Sequence, residues 1–582
     1  MRISRVQIRG FRSLRDIDIP VSQICALVGP NNSGKSNFLQ AVQRVLGRDW
    51  VSANSFSDDD LWQRDPNGDI AIELTFDPPL AHTKYKGADS TTIHGLKYEY
   101  TRYKVGTRKG TRRLEQSCLD AKGNMPTVLA KAPRKGEQRK YEPLVGIPSE
   151  VRDAVPLIYI GTNRSLREQL PTGRYSMLRQ LLEDIDADLH DPKQVVEVQR
   201  PDGSRDPVGR AKRFQELIDE AMTILRTDAF TALEMSIKKN AIRQLGFDPE
   251  TEGDRFDFFF SPLDTFEFYK LLDLRVREGG FAISATELGE GVQNVLVLAI
   301  LQAFEERRKK GAILLIEEPE MFLHPQKQRS LYKTLREIGK SNQVIYTTHS
   351  PSFVCVPEYH EVRLFRAGSE GTIVRRSQLE MNETQQEKLR KELDSERNEL
   401  FFASRLLLVE GDTEKLALPE FAKRLGLDPD RENTTIVEVG GKRNLLWFAG
   451  IAISFGIPTG VLFDEDSSDF GTKEKEDEAA LNRKLLGLDR PDRTARAWML
   501  SKNYERHLRT AIGEDLYLKQ CGKYPGVSKA VRARLVASDA MTPVPAPIEE
   551  VLRWLVSGRT HAGITDLARS KQTDQASARV KE

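Results

Sequence analysis

At 582 residues the chain is several times the usual domain length of roughly 150 residues, so it folds as two or more units with large cores and is no disulfide-stapled mini-protein. Hydrophobic residues make up 39% and charged residues 30%, a globular balance, and no apolar run reaches the ~18 residues that a membrane span needs. The 88 Lys and Arg almost cancel the 86 Asp and Glu, leaving +2, so the overall charge does not advertise a nucleic-acid binder and any such surface must be local.

The amino terminus runs from Met1-Arg2-Ile3-Ser4 into polar alternation instead of an apolar signal core, so no export signal is expected. Cys25, Cys118, Cys355 and Cys521 lie far apart and form no C-x-x-C pair, which argues against a zinc ribbon or a disulfide framework and fits a reducing cytosol. Alternation at Val6 and Ile8, then at Ile17 and Ile19, predicts short strands, and the continuous apolar run Ile24–Val28 predicts a buried one. Ile70, Ile72, Leu74 and Phe76 alternate again, as do Tyr98, Tyr100 and Tyr103, giving a hairpin or meander over about 68–105. Across 81–140, 15 basic residues face 5 acidic ones, a net +10 in a nearly neutral chain. Phosphate attraction is one reading of that block; a solvated loop pair around Arg108-Lys109-Gly110 and Arg134-Lys135-Gly136 is the other.

Between about 165 and 245, Leu178, Leu181 and Leu182, then Phe214, Leu217, Ile218, Met222 and Leu225, recur at helical spacing and are interrupted at Pro201-Asp202-Gly203-Ser204. This pattern predicts an inserted helical subdomain. Strand-like runs return at Ala312–Ile316 and Val344–Thr347, and the charged, helix-prone segment 382–400 leads into a domain junction at about 395–403. Beyond it, Leu406–Val409, Thr435–Val439 and Gly460–Phe463 are apolar strands separated by helical stretches, which implies a second parallel sheet. From about 567 the chain is a polar tail.

Gly29-Pro30-Asn31-Asn32-Ser33-Gly34-Lys35-Ser36 fits G-x-x-x-x-G-K-[ST], after an apolar strand and before a helix-like run. Gly29 and Gly34 let backbone N–H groups close around phosphates, with Asn32 in the same loop; Lys35 is expected to reach the β- and γ-phosphates, and the Ser36 hydroxyl can ligate Mg²⁺. Far downstream the strand Ile313–Ile316 delivers Glu317 and Glu318, the pair that a Walker B site requires. Glu317 is expected in the Mg²⁺ shell through water, Glu318 as the group that polarises the attacking water, and His349 as a sensor of the γ-phosphate. In the second half, Glu410 ends an apolar strand and is followed by a glycine turn and Glu414; about fifty residues later another strand ends in Asp464-Glu465-Asp466. Two such strand tips meet at the carboxyl edge of one parallel sheet and gather hard oxygen ligands suited to Mg²⁺ or Mn²⁺.

The first set of motifs resembles the ABC-type ATPases that include RecF and the SMC heads, over roughly residues 1–375. In that family nucleotide is sandwiched between two subunits under a signature motif. Ser284–Gln293 stands where that motif should, with Gly289 and Gly291 as backbone donors to phosphate, although it departs from the L-S-G-G-Q form. No Q-loop glutamine is assigned; that loop is expected near Tyr159–Asn163. The second set resembles the Toprim signature, one Glu after a first strand and D-x-D after a later one, shared by topoisomerases, primases and certain nucleases. The turn Gly440-Gly441-Lys442 agrees with the family's intervening strand and loop.

An ABC ATPase followed by a Toprim domain is the layout of the OLD (overcoming lysogenization defect) family, which includes the nuclease subunit of Gabija anti-phage systems. The resemblance implies an α/β protein with an ATPase in two parts, 1–164 and 246–395, a helical dimerisation insertion at 165–245, a Toprim domain at 396–566 and a tail at 567–582. It implies ATP binding and metal-dependent DNA cleavage or nicking in the cytoplasm, with Glu410, Glu414, Asp464 and Asp466 as ligands of Mg²⁺ or Mn²⁺ in a two-metal site. Ser501 and Glu505 are the candidates for a third acidic motif, and Lys529 for a lysine that stabilises transition-state charge. A homodimer or higher assembly, and a UvrD-like helicase partner if the chain is a Gabija component, follow from the same resemblance. The alternative is a RecF- or SMC-like ATPase clamp that does not cut, for which the acids after residue 400 would have no use. Primase and topoisomerase are disfavoured because no zinc-binding cysteine cluster precedes the Toprim-like region and no cleavage-domain tyrosine stands in a recognisable setting.

Overall fold

The computed structural model describes residues 1–47, 51–85, 89–131, 139–155, 157–162, 182, 185–199, 203–245, 265–269, 271–278, 280–307, 311–391, 396–466, 472–492 and 494–556. Two compact units divide the chain: one joins Met1–Ile160 to Ala312–Glu582, and the other is Gly161–Gly311.

In chain order the first unit opens with β1 (Arg2–Phe11), β2 (Leu14–Pro20), β3 (Ile24–Val28), α1 (Lys35–Leu46), β4 (Ile70–His82), β5 (Thr91–Arg102), β6 (Arg112–Leu119) and β7 (Leu157–Ile160). It resumes with β8 (Ile313–Ile316), α2 (Pro325–Ser341), β9 (Gln343–Thr348), β10 (Val362–Gly368) and β11 (Gly371–Arg375). These strands make two sheets. An antiparallel sheet runs β2-β1-β4-β5-β6, and a six-stranded one runs β11-β10-β3-β9-β8-β7, parallel except for the β10–β11 hairpin. In the first, Val6 and Ile8 pair across to Ile19 and Ile17, so one face of the alternation goes to the core while polar residues stay in water. In the second, β3, β8 and β9 are buried along their whole length, as the unbroken apolar runs of a doubly covered parallel sheet require. The core lies between the sheets and α1, where Phe38, Leu39, Val42 and Val45 pack with Cys25, Leu27 and Leu315.

The same unit continues through a short 3₁₀ helix, Arg397–Phe401, into β12 (Arg405–Val409), α3 (Asp412–Arg424), β13 (Thr434–Glu438), α4 (Lys442–Ser454), β14 (Thr459–Asp464), α5 (Thr472–Leu486), β15 (Ala495–Leu500), α6 (Tyr504–Ile512), α7 (Lys529–Ser538) and α8 (Ala546–Val556). The sheet order β13-β12-β14-β15 is parallel throughout, so the carboxyl ends of β12 and β14, adjacent in the sheet, share one edge. Beneath it Trp498 and Trp554 meet edge to face at 5.3 Å, and α3, α7 and α8 close the core with Phe421, Val536 and Leu552.

The second unit contains the helices Arg210–Leu225, which carries Phe214, Leu217, Ile218, Met222 and Leu225 as expected, and Asp228–Gln244. Leu178 and Leu181 lie outside the described residues, as do Pro201 and Asp202. On either side of that expected break, Val195–Gln199 and Arg205–Gly209 pair as antiparallel strands, where the sequence pattern predicts only helices. The residues of this hairpin are mostly exposed or half-buried, so it writes little hydrophobic pattern into the sequence. A second hairpin, Arg275–Glu278 with Phe281–Ser284, precedes the helix Glu290–Arg307. Ile224, Leu233 and Met235 on the two long helices are 74%, 58% and 62% exposed, an apolar surface that the described residues leave uncovered. Among the described residues, no helix is long and apolar enough to cross a membrane.

Candidate functional site

β3 ends in the glycine loop because its neighbours leave no room for a side chain there. A Cβ on Gly29 would lie 2.1 Å from the Phe365 carbonyl oxygen, and one on Gly34, at φ +99°, 2.3 Å from Thr372 Oγ1. Thr372 Oγ1 reaches the Ser33 carbonyl at 3.0 Å and Ser13 Oγ at 2.9 Å, fixing the loop from β11. Lys35 opens α1 and folds its ammonium back to the carbonyls of Gly29 and Pro30, at 2.8 and 2.9 Å. Burial lowers it to about 8, opposed by Glu318 and Glu320. Ser36 is half-buried and Asn32 exposed, with φ +61°.

β8, next to β9 in the sheet, carries its two acids to the same edge. Glu317, 4% exposed, is anchored by its N–H to the Ile160 carbonyl at 2.8 Å. Tyr159, its neighbour on β7, is held protonated by burial and by the Glu317 carboxylate. Glu318 sits at φ +42°, a strained conformation for a non-glycine residue, with its N–H on the carbonyl and hydroxyl of Thr347 at 3.1 and 3.0 Å. Its carboxylate lies 3.5 Å from His349 Nε2, and burial together with Lys35 pulls the imidazole below its ordinary pKa. Lys35, Glu318 and His349 therefore act on one another at one edge of this sheet. Gly289 and Gly291 lie in the other unit, where the Gly289 carbonyl accepts the N–H groups of Val292 and Gln293 at 2.9 and 3.2 Å. Asn163 is outside the described residues.

Glu320 is a participant to which the sequence reading gave no role. One carboxylate oxygen accepts from the N–H of His349 at 2.6 Å, the Thr348 hydroxyl at 2.8 Å and the Ser350 N–H at 3.2 Å, so this acid shapes the loop that presents His349. The third acid of Glu317-Glu318-Pro319-Glu320 was the available signal.

The second site forms where β12 and β14 end. Glu410 accepts the Asp464 N–H at 2.7 Å, which locks the two strand tips together. Burial pushes Asp464 up to about 8, with Glu414 and Glu410 adding repulsion, and pushes Glu410 up to about 7. Glu414, in the first turn of α3 and 7% exposed, is raised by burial and by Glu505. Lys529, at the start of α7, lies 2.9 Å from the Glu505 carboxylate; burial pulls its pKa down, but that bond leaves it raised. Asp466, at φ +52°, is held by its N–H to the Lys502 carbonyl at 2.8 Å. The described side-chain bond of Ser501 is to His507 Nδ1 at 3.4 Å.

Glu410, Glu414 and Asp464, each raised by burial and by neighbouring acids, with a buried Asp464 oxygen that has no hydrogen-bond partner, form a hard-oxygen donor set short of positive charge, whose repulsion a divalent cation would relieve. Lys442, 7% exposed, is a second missed participant: its ammonium lies 3.1 Å from Glu478 and 4.0 Å from Asp466. The lysine after Gly440-Gly441 was visible in the sequence; Glu478, on a helix with no motif, was not. The basic block divides. Arg102 and Arg112 are tied to the Pro66 carbonyl at 3.0 and 2.8 Å, Lys104, Arg108 and Lys109 are exposed at the β5–β6 turn, and Arg134-Lys135-Gly136 lies outside the described residues.

Residues 1–138 and 156–354 match the family model of the AAA ATPase domain, and residues 401–466 match that of the overcoming lysogenization defect protein-like TOPRIM domain. An OLD nuclease of Thermus scotoductus is 30% identical over 475 residues, which cover 80% of this chain and 82% of that protein. Endonuclease GajA of Bacillus cereus is 23% identical, covering 76% of this chain and 71% of its own. The Old nuclease of Escherichia phage P2 is 24% identical, covering 80% and 77%. A phosphate-binding loop with paired acids on one parallel sheet, a carboxylate cluster on a second, and relatives that span both make this chain a member of the OLD nuclease family, an ATPase joined to a Toprim nuclease domain.

Proposed function

We propose that the protein is an ATP-binding, divalent-metal-dependent DNA endonuclease or nickase of the cytoplasm, working in anti-phage defence or DNA processing. The observation that carries this reading is the Glu410–Asp464 tip pair, with Glu414, Glu505 and Lys529 converging on it. Glu410, Glu414, Asp464, Asp466, Glu505 and Ser501 would hold Mg²⁺ or Mn²⁺. When bound, such ions offset charge on the attacking and leaving oxygens of a phosphodiester. The chain's own contribution is to fix the carboxylates by backbone bonds before substrate arrives and to set Lys529 where negative charge develops. In the ATPase, Lys35, with the loop from Asn32 to Gly34, would hold phosphates. Ser36 and Glu317 would hold Mg²⁺, Glu318 would orient water and His349 would contact the γ-phosphate, while Gly289 and Gly291 would face nucleotide across a homodimer.

The domain limits belong to the same reading: ATPase at 1–164 and 246–395, dimerising insertion at 165–245, Toprim at 396–566 and tail from 567. So does a UvrD-like helicase partner. A plasmid-nicking assay with wild type, Lys35→Ala and Asp464→Ala, in Mg²⁺ or Mn²⁺ and with or without ATP, tests it. Cutting is expected to vanish in Asp464→Ala and to change its dependence on ATP in Lys35→Ala; cutting that survives Asp464→Ala would sink the site assignment.

A further inference from the structure

The two sites of the first unit are joined through one short element. Past His349 the chain enters a turn, Pro351–Phe353, capped by the Ser350 hydroxyl. Asn398, 6% exposed, lies against that turn: its Nδ2 donates to the Pro351 carbonyl at 3.0 Å and its Oδ1 accepts the Val356 N–H at 3.1 Å. The preceding residue, Arg397, reaches the Toprim sheet. Its Nε donates to the Glu438 carbonyl at 3.1 Å and its Nη2 to the Glu438 carboxylate at 2.7 Å, and the two side chains are only 12% and 18% exposed. Glu438 ends β13. Its other carboxylate oxygen accepts the Gly440 N–H at 2.8 Å, and the next N–H, of Gly441, bonds the Glu410 carbonyl at 2.9 Å.

Each step from Glu320, which holds the His349 loop, to Glu410, which leads the metal cluster, is therefore a hydrogen bond or a covalent neighbour. Arg397 and Asn398 are adjacent in one 3₁₀ helix, whose Leu400 and Phe401 are fully buried. Consecutive residues of such a helix point about 120° apart, so the pair faces both ways on one rigid piece. The fork of the arginine fixes orientation as well as distance.

We propose that Arg397 and Asn398 are positioning residues that couple the two sites: a displacement of the His349 loop by nucleotide moves the Arg397–Phe401 helix and, through Glu438, the turn that sets Glu410. This rests on the nuclease reading above and adds the route by which ATP governs it. A pair serving only to fasten the domains would lower stability without altering the response to nucleotide; a relay alters the response.

Full-length wild type, Arg397→Ala, Arg397→Lys, Asn398→Ala and Glu438→Gln are compared for plasmid nicking in Mn²⁺ without nucleotide, with ADP and with a slowly hydrolysed ATP analogue, alongside ATP hydrolysis and melting temperature. Allosteric responses commonly span about 5–150-fold. In Arg397→Ala, Asn398→Ala and Glu438→Gln, that response is expected to shrink to about twofold or less, while nucleotide-free nicking and ATP hydrolysis stay within about threefold; Arg397→Lys, charged but without the fork, falls between. Variants that answer nucleotide as wild type does, a wild type whose cutting ignores nucleotide, or a joint collapse of both activities would each overturn the coupling. If the wild type cuts in no metal, the nuclease reading fails by itself. Mn²⁺ affinity, measured by electron paramagnetic resonance with and without the ATP analogue, then decides the coupling: a nucleotide effect in wild type that the variants lack supports it, and none in wild type overturns it.

Discussion

Asp464 and Glu410 keep their protons to about 8 and about 7, against ordinary values near 4, so between about pH 4 and pH 8 the folded chain holds protons that an unfolded one has released. In the absence of divalent metal, stability therefore falls as the pH rises through that window, and Asp464→Asn removes the larger part of the slope. A divalent cation stands in for the protons and flattens it. Melting temperatures from about pH 5 to about pH 8.5, in chelator and in Mn²⁺, read this directly; equal slopes in the two conditions would contradict a metal site there. Burial is the first cause of both shifts and, for Asp464, the Glu414 carboxylate is the second, so a single substitution at Glu414 should lower the apparent Asp464 pKa without abolishing its elevation.

At the scale of the element, the strand tips carry the chemistry, and the turns after them allow few residue types. Gly34 combines φ +99° with a would-be Cβ 2.3 Å from Thr372 Oγ1 and 2.8 Å from Ser13 Oγ. Gly34→Ala is expected to strain the loop by about 1–3 kcal/mol and to weaken ATP binding at least about tenfold, while Mn²⁺ binding at Glu410 stays as in wild type. Nucleotide and Mn²⁺ titrations of the same sample check this, and unchanged ATP affinity would refute it. Strand tips were also what the sequence displayed best. An apolar run ending in an acid marks a buried parallel strand and its site together, which is why Glu317, Glu410 and Asp464 were legible. Relations between elements were not: the hold of Glu320 on His349, or the Lys442–Glu478 pair, joins residues 29 and 36 positions apart whose proximity only the packed helices and sheets create. The Val195–Gln199 hairpin escaped for the opposite reason, since a ribbon with little buried surface writes no hydrophobic period.

Across the whole molecule, the helices Arg210–Leu225 and Asp228–Gln244 leave Ile224, Leu225, Leu233 and Met235 in solvent, and a second copy of the chain is the occupant that the proposed nucleotide sandwich calls for. Ile224→Glu with Leu233→Glu is expected to shift the protein toward monomer in light scattering and to lower ATP hydrolysis at least about tenfold, while isolated ATP binding persists. A double variant that stays dimeric and hydrolyses ATP as wild type does would move the interface elsewhere. The six-stranded sheet carries one more consequence. β3, which bears the phosphate loop, is flanked by β9 and β10, and the Ile3 backbone is bonded on both sides by the Gln343 amide, at 2.8 and 2.7 Å. On the ribosome, at about 5–20 residues per second, these partners follow β3 by roughly 20–70 s. The nascent loop thus waits, its apolar strand unpaired, through the synthesis of the whole second unit. Slow translation or a scarcity of chaperones during that interval should cost this chain more than a protein whose nucleotide site is completed within a single hairpin.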